Sequence, residues 1–149
     1  MSYWWLTKLT CSILLIASII ISAFTSWLPD INTSDSLAGR ILVLVGGAIF
    51  LSHYWLIKRD NKRLEEMEYL VTQTALFKRI RHPMYFGEMF MMLGYVLIAA
   101  HSLTLLIFVL GILALVMQAK VEDKQVADKF PQPYAQWTKT TKLILPYVY

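Results

Sequence analysis

The sequence contains few of the residues that build metal centres and disulfide frameworks. Its 149 residues include one cysteine, Cys11, and no Cys-x-x-Cys pair or histidine-rich cluster. One cysteine cannot form an internal disulfide, and a structural zinc or iron–sulfur site has no ligand set here. Redox proteins and metal scaffolds are therefore excluded, and no metal is expected.

Phosphate-binding glycine loops and charged residues are scarce as well. The chain has neither a Gly-x-Gly-x-x-Gly fingerprint nor a Walker loop, so a soluble nucleotide-binding domain is not expected. Charged residues make up 16% of the chain and hydrophobic residues 57%, whereas soluble domains contain about 45–50% apolar residues. This composition excludes a soluble single domain.

The sequence does contain four apolar blocks, at residues 9–28, 41–57, 84–100 and 103–119. Blocks of this length can cross a bilayer as helices. The first is uncharged and too long for the core of a cleaved signal peptide, so we expect it to be retained. His101 and Ser102 separate the last two blocks, which therefore form a tight antiparallel hairpin. We predict one all-α, polytopic membrane domain over residues 1–149, with about four transmembrane helices.

The basic residues predict the orientation of these helices. If four helices are drawn, thirteen of the fourteen lysines and arginines fall on one side, and Arg40 falls on the other. Because basic loops stay in the cytoplasm, both termini and the polar segments 58–83 and 120–149 are expected there. The net charge of +4 is then explained without a nucleic-acid partner. The small size and the absence of a retention signal favour a prokaryotic inner membrane.

A first polar cluster lies where the third helix is predicted to begin. Pro83 suits the first helical turn, and a helix N-terminus beside Arg81 and His82 favours a carboxylate or phosphate ligand. Alternatively, Arg81 marks the membrane edge and His82 caps the helix. Glu88 lies about 7 Å into the helix, where an ionisable group usually faces a site or a partner. It could instead reach back to the interface or pair with an arginine.

A second polar cluster follows the predicted fourth helix. Glu122 and Asp123 lie where the hairpin returns the chain to the level of the first cluster, so the two clusters are expected to face each other. Negative charge at a helix C-terminus favours a cation or ligand, although a solvated helix end is the alternative. Phe130, Tyr134 and Trp137 fall on one helical face, for which an interfacial aromatic belt is the simpler interpretation.

These clusters resemble the two motifs of the isoprenylcysteine carboxyl methyltransferases and the related membrane phospholipid methyltransferases. The first motif has the form Gly-x-Tyr-x-x-x-Arg-His-Pro-x-Tyr-x-Gly, and its positions hold Ala75, Phe77, Arg81, His82, Pro83, Tyr85 and Gly87. The second motif follows the hairpin, and its positions hold Glu122, Asp123, Val126, Phe130, Pro131, Tyr134, Trp137 and Pro146. Two motifs on either side of a hairpin are more specific than one. The resemblance covers about the last eighty residues.

The resemblance implies an integral membrane enzyme that uses S-adenosylmethionine without a Rossmann domain. The cofactor would lie in a pocket under the cytoplasmic ends of the last helices. Its contacts would come from Tyr69, Leu70, Val71, Phe77, Arg81, His82, Pro83, Met84, Tyr85 and Glu122. A helix start with basic residues suits the methionine carboxylate, a glutamate suits an ammonium or ribose hydroxyls, and aromatic rings suit adenine and the sulfonium.

The acceptor is expected to be a lipidic or prenylated molecule that enters sideways from the bilayer. In the carboxyl methyltransferases an arginine holds the substrate carboxylate; that position is Gln118 here, and Lys120 is the nearest cation. Our first hypothesis is a lipidic carboxylate acceptor beside Gln118 and Lys120. A phospholipid amine is the second, and it would lose its proton to Glu88 or His82. A non-catalytic membrane scaffold of the same fold is the third.

Overall fold

The computed structural model describes residues 2–24, 36–59, 76–99 and 101–148, and this part of the chain is all-α. Its helices are α1 Tyr3–Phe24, α2 Leu37–Arg59, α3 Pro83–Ile98, α4 Ser102–Lys129 and α5 Pro131–Thr140. The described residues form no strand; an isolated parallel bridge joins Ile80 to Lys142. The predicted all-α polytopic membrane architecture is confirmed.

Three of the helices, α1, α2 and α4, are long and apolar enough to cross a bilayer. The apolar helix α3 has 16 residues, or about 24 Å, which is shorter than a hydrocarbon core of about 30 Å. It packs against each of the three long helices. Large apolar side chains on the outer faces, among them Ile13, Leu44, Leu51 and Val109, are exposed. Such surfaces are expected where a protein faces lipid.

The first helix begins earlier than the sequence predicts. Helix α1 starts at Tyr3 rather than at residue 9, so Lys8 lies inside the helix instead of before it. The predicted ends at residues 28 and 100 fall outside the described residues.

The fourth helix also extends further, to Lys129 rather than residue 119. The prediction that Glu122 and Asp123 follow this helix is therefore wrong, because both lie on α4. The apolar run ends at residue 119, but residues with good helix propensity continue until Pro131 begins the next helix. Hydropathy therefore indicates where the apolar block ends, at residue 119, but not where the helix ends.

The helices α2 and α3 pack backbone to backbone through glycines. Gly39 lies opposite Gly94 and Gly46 opposite Gly87, so the two helices are antiparallel. A Cβ atom on Gly46 would lie 2.5 Å from the Gly87 carbonyl oxygen, and one on Gly94 would lie 2.6 Å from the Gly39 carbonyl oxygen. In a bilayer, such small residues stabilise helix pairs because they let the backbones approach closely.

The other side of the bundle is built from α1 and α4. Where they cross α3, a Cβ atom on Gly111 would meet Cys11 of α1 and Met92 of α3 at 3.2–3.3 Å. The predicted tight hairpin between α3 and α4 is present; in its turn, the Thr104 hydroxyl donates to the Ala99 carbonyl oxygen at 2.5 Å. In the described part of the chain, α1 and α2 do not pack against each other. Both helices flank α3 and leave a space between them.

The substitution Gly87→Ala should weaken the packing of α2 on α3. The new methyl group would lie 2.6 Å from the Gly46 carbonyl oxygen and 2.9 Å from the Phe50 nitrogen. We expect a loss of about 1–3 kcal/mol in the free energy of unfolding, measured by denaturant unfolding in detergent micelles.

The matched control is Gly47→Ala. Its methyl group would meet only the Met91 sulfur, at 3.8 Å, and alanine is the better helix former by about 1 kcal/mol. This variant should be as stable as the wild type or more so. Equal destabilisation by both substitutions would contradict the proposed backbone contact.

Candidate active site

The start of α3 is held by a distant segment near the C-terminus. The backbone N–H groups of Arg81 and His82 donate to the carbonyl oxygens of Lys142 and Leu143, at 2.8 and 3.1 Å. Ile80, the residue before this pairing, is fully buried. The backbone that carries the two basic side chains is therefore fixed before the helix begins.

The Arg81 side chain then ties α3 to α4 and to the C-terminal segment. Its Nε donates to Asp123 Oδ2 at 2.9 Å, and its Nη1 donates to the Thr141 carbonyl oxygen at 3.0 Å. The other oxygen of Asp123 accepts from His82 Nε2 at 2.9 Å. Burial and, next, the hydrogen bond to Asp123 raise the pKa of Tyr134 to about 12. Asp123 thus accepts hydrogen bonds from three side chains, two at the start of α3 and one on α5.

The neighbouring carboxylate, Glu122, belongs to a second network. The Tyr85 hydroxyl donates to Glu122 Oε1 at 2.5 Å, and Gln118 Nε2 donates to the same oxygen at 2.7 Å. Gln118 in turn accepts a hydrogen bond from the Ser2 hydroxyl. His82 Nδ1 lies 3.6 Å from Glu122 Oε2, and the Glu122 side chain is 36% exposed. Its carboxylate is therefore held through Oε1, while the side chain stays partly exposed.

Aromatic side chains surround these carboxylates. The His82 and Tyr85 rings are stacked, with centroids 5.3 Å apart and planes at 7°. Trp137 is buried, and its Nε1 donates to the Phe77 carbonyl oxygen at 3.2 Å. Tyr134 packs against this pair. The aromatic residues that suggested an interfacial belt therefore pack inward, because α5 folds back onto Phe77.

An ion pair joins α1 to α3 within the bundle. Lys8 Nζ donates to Glu88 Oε2 at 2.6 Å and lies 4.6 Å from the centroid of the Tyr85 ring. The Ser12 hydroxyl donates to Glu88 Oε1 at 3.2 Å. Lys8 and Glu88 are 8% and 7% exposed. The buried carboxylate predicted on α3 therefore has a lysine partner on the first helix.

One cavity of about 610 Å³, within the size range of small-molecule sites, is lined both by the Lys8–Glu88 pair and by residues of the two networks, among them Arg81 and Glu122. At its polar end lie His82, Tyr85 and Glu122. Beyond them it runs between α1 and α2 along α3, and we call this part the cleft. Two residues of the cleft wall, Ile16 of α1 and Tyr54 of α2, are 44% and 48% exposed. The cleft therefore opens sideways, on the surface that would face lipid.

A comparison with known protein families assigns the chain to a family. The family model for phospholipid methyltransferases matches residues 35–133, more than half of the chain. The chain belongs to the phospholipid methyltransferase family. Membership implies an integral membrane methyltransferase. No curated protein and no solved structure matches the chain. The helix α1, with Lys8, lies outside the matched range.

Most site residues predicted from the sequence lie together in this phospholipid methyltransferase family member. Glu88 lines the cavity. So do seven of the residues predicted to contact the cofactor, namely Phe77, Arg81, His82, Pro83, Met84, Tyr85 and Glu122. The predicted contacts at Tyr69, Leu70 and Val71 fall outside the described residues.

Two predicted catalytic residues lie away from the cavity wall. Gln118 is buried and holds Glu122 from behind. Lys120 is exposed and lines a separate depression of about 370 Å³, together with Asp123 and Lys142. The structure therefore does not bring Gln118 and Lys120 together with Glu88.

The sequence reasoning missed the contribution of the first two helices. Lys8 and Ser12 of α1 and Phe50 of α2 line the cavity. The signal for Lys8 was Glu88, because a carboxylate inside an apolar helix needs a cation, and Lys8 stands beside another apolar block. Phe50 had no such signal, since apolar residues of a membrane helix look alike whether they face lipid or a cavity.

The substitution Asp123→Asn should destabilise the site. It removes the charge that holds Arg81 and His82, both of which would stay largely buried, and we expect a loss of about 2–4 kcal/mol in the free energy of unfolding. The control is Asp128→Asn on the same helix, which breaks an exposed pair with Lys124 (66% and 76% exposed) and should change stability by less than about 1 kcal/mol. Denaturant unfolding in detergent provides the measurement; similar losses for both variants would show that Asp123 is an ordinary surface charge.

Proposed function

We propose that this protein transfers a methyl group from S-adenosylmethionine to the polar head of a membrane lipid held in the cleft. The observation that carries the proposal is the continuity of the cavity. It runs from the network of His82, Tyr85 and Glu122 into an apolar space that opens toward lipid between α1 and α2. A soluble donor and a membrane-embedded acceptor can therefore meet without either crossing a protein wall.

The polar end fits the methyl donor by the chemistry of its groups. Glu122 lines the cavity with a partly exposed side chain, and its carboxylate suits an ammonium or ribose hydroxyls. The N–H groups of Met84 and Tyr85 precede the first hydrogen bond of α3, from Phe86 to His82, and lie at the positive end of the helix dipole, which suits a carboxylate. The ring of Phe77 also lines the cavity and offers a surface for adenine or for a sulfonium cation.

The cleft fits an acyl or prenyl chain. Its walls include Ile16 of α1, Phe50 of α2, and Met92 and Tyr95 of α3, and the lining of the whole cavity is mainly apolar. Methionine and aromatic side chains adapt to irregular apolar ligands. A lipid could therefore slide in from the bilayer while its polar head stays near Glu88.

An amine of a phospholipid head group is the acceptor that the cavity favours. Glu88 is the acidic group on the cavity wall nearest the cleft, and the family name points the same way. A lipidic carboxylate is the second candidate, and Lys8 is the observation in its favour. For that candidate, Gln118 and Lys120 would not serve, since neither lines the cavity.

In the reaction the protein would hold the donor and the acceptor in position, exclude water and accept a proton. Bound S-adenosylmethionine supplies a methyl group whose bond to sulfur breaks as the bond to the acceptor forms, and the electron pair leaves on sulfur. Glu88 or His82 would take the proton that an ammonium must lose before its nitrogen can attack. The apolar cleft would keep water away, and the stacked rings of His82 and Tyr85 would hold the reacting groups in line.

We place this active site on the cytoplasmic face of the membrane. Arg81, Lys120 and Lys124 lie at the polar end of the cavity or just beyond it, and basic residues accumulate on the cytoplasmic side. A prokaryotic plasma membrane remains the expected location.

Calorimetric binding of S-adenosylmethionine to detergent-purified protein tests the donor site. The wild type should bind with micromolar affinity, and both Glu122→Ala and His82→Ala should weaken binding at least about tenfold, which corresponds to about 1.4 kcal/mol. The control Lys124→Ala, two residues further along α4 in an exposed pair, should bind like the wild type.

Two results would count against the proposal. Absence of binding to a folded wild type would leave a membrane scaffold of the same fold as the better interpretation. Undiminished binding to the Glu122 and His82 variants would move the donor away from the polar end.

A further inference from the structure

We propose that the Lys8–Glu88 ion pair is the docking site for a zwitterionic phospholipid head group: the head-group ammonium replaces Lys8 on Glu88, and Lys8 moves to the phosphate. This inference rests on the proposed function and goes further, because it assigns a substrate-binding role to α1. The helix lies outside the residues that match the family model.

The first observation is the place of the pair along the cavity. Lys8, Ser12 and Glu88 line it between the polar end at Glu122 and the deeper apolar residues Met92 and Tyr95. The head of a lipid whose chain fills the cleft must lie at this level, next to the donor site. The pair therefore occupies the position that the acceptor needs.

The second observation is the chemistry of the groups that surround Lys8. Its side chain ends in a primary ammonium, which is the same group that ends an ethanolamine head. That ammonium is held by the Glu88 carboxylate at 2.6 Å and lies 4.6 Å from the centroid of the Tyr85 ring. An incoming ammonium would find a carboxylate and an aromatic face already arranged for it. Tyr85 also donates to Glu122, so this position adjoins the polar end.

The third observation is the balance of charge. Lys8 and Glu88 are both more than nine-tenths buried, and removing the partner of a buried charge is costly. A carboxylate that bound Lys8 alone would leave Glu88 as an unpaired anion beside it. A zwitterion offers a partner to each member, because its phosphate can take Lys8 while its ammonium takes Glu88. The flexible lysine stem allows this exchange, and Ser12 keeps Glu88 oriented.

The test compares lipid binding by the wild type and by the double variant Lys8→Met/Glu88→Gln. Both charges are removed, so neither is left unpaired, and the variant should remain folded. Native mass spectrometry of the detergent-purified protein, without methyl donor, would measure binding of phosphatidylethanolamine and of diacylglycerol, which has no charged head. We expect the variant to bind phosphatidylethanolamine about 30-fold more weakly and diacylglycerol as well as the wild type does. An unchanged preference for phosphatidylethanolamine would overturn the proposal.

The matched control removes another lysine–carboxylate pair. Lys124→Met/Asp128→Asn deletes an exposed contact of 2.7 Å on α4 and should leave binding of both lipids unchanged. If this control loses phosphatidylethanolamine affinity to the same extent, the effect is one of general charge, and the proposal fails.

The exchanged variant Lys8→Glu/Glu88→Lys separates recognition from structural support. It restores an ion pair between α1 and α3, so a purely structural pair predicts that thermal stability and binding of phosphatidylethanolamine both return. The proposal predicts that stability returns and binding does not, because the carboxylate no longer stands on α3 beside Tyr85. Recovery of phosphatidylethanolamine binding, measured without methyl donor, would overturn the proposal; should the exchanged variant not fold, the neutral double variant decides.

These outcomes are distinct from a failure of the proposed function. A wild type that binds no S-adenosylmethionine refutes the methyltransferase assignment. A wild type that methylates a lipid whose binding is unaffected by loss of the ion pair refutes the head-group site and leaves the methyltransferase assignment in place.

Discussion

The contact between Arg81 and Asp123 is the interaction on which the site depends. It holds the start of α3 to α4 at 2.9 Å, while the Arg81 backbone is paired with the C-terminal segment. His82 shares the same carboxylate, and its ring stacks on Tyr85 one turn along. These contacts set the position and direction of α3. They therefore also determine how deeply Glu88 lies in the bundle. Arg81 could have marked only the membrane edge in the sequence. In the structure it holds the residues at the polar end of the cavity in position.

The cavity exists because two helices pack on α3 and not on each other. Close glycine contacts bring α2 against one face of α3, and α1 lies against α4 and another face of α3. The space between α1 and α2 holds the cleft, with walls on both helices. In a bilayer that space is filled with apolar chains at little cost, so a gap that would destabilise a soluble protein can serve here as a lipid-binding cleft.

The sequence predicted the fold well, because runs of apolar residues and a two-residue break determine helices and a hairpin almost by themselves. It also identified Glu88, since charges are expensive inside an apolar helix, and Arg81, since basic residues beside a helix N-terminus favour an anionic ligand. It could not assign their partners. Lys8 was counted as a topology marker because its helix begins earlier than hydropathy indicates. Gln118 was placed beside the substrate, but only the helical register of α4 reveals that it faces Glu122 instead.

The central claim is that a soluble methyl donor and a membrane lipid meet in one cavity, and methyl transfer itself tests it most directly. Purified protein would be incubated with S-adenosylmethionine labelled in the methyl group and with phosphatidylcholine vesicles containing phosphatidylethanolamine, and the lipids would be extracted and identified. The account predicts label on the head-group nitrogen of phosphatidylethanolamine. Label confined to a lipidic carboxylate supplied in parallel would replace the amine with the second candidate. A folded protein that binds the donor and labels neither acceptor would contradict the account.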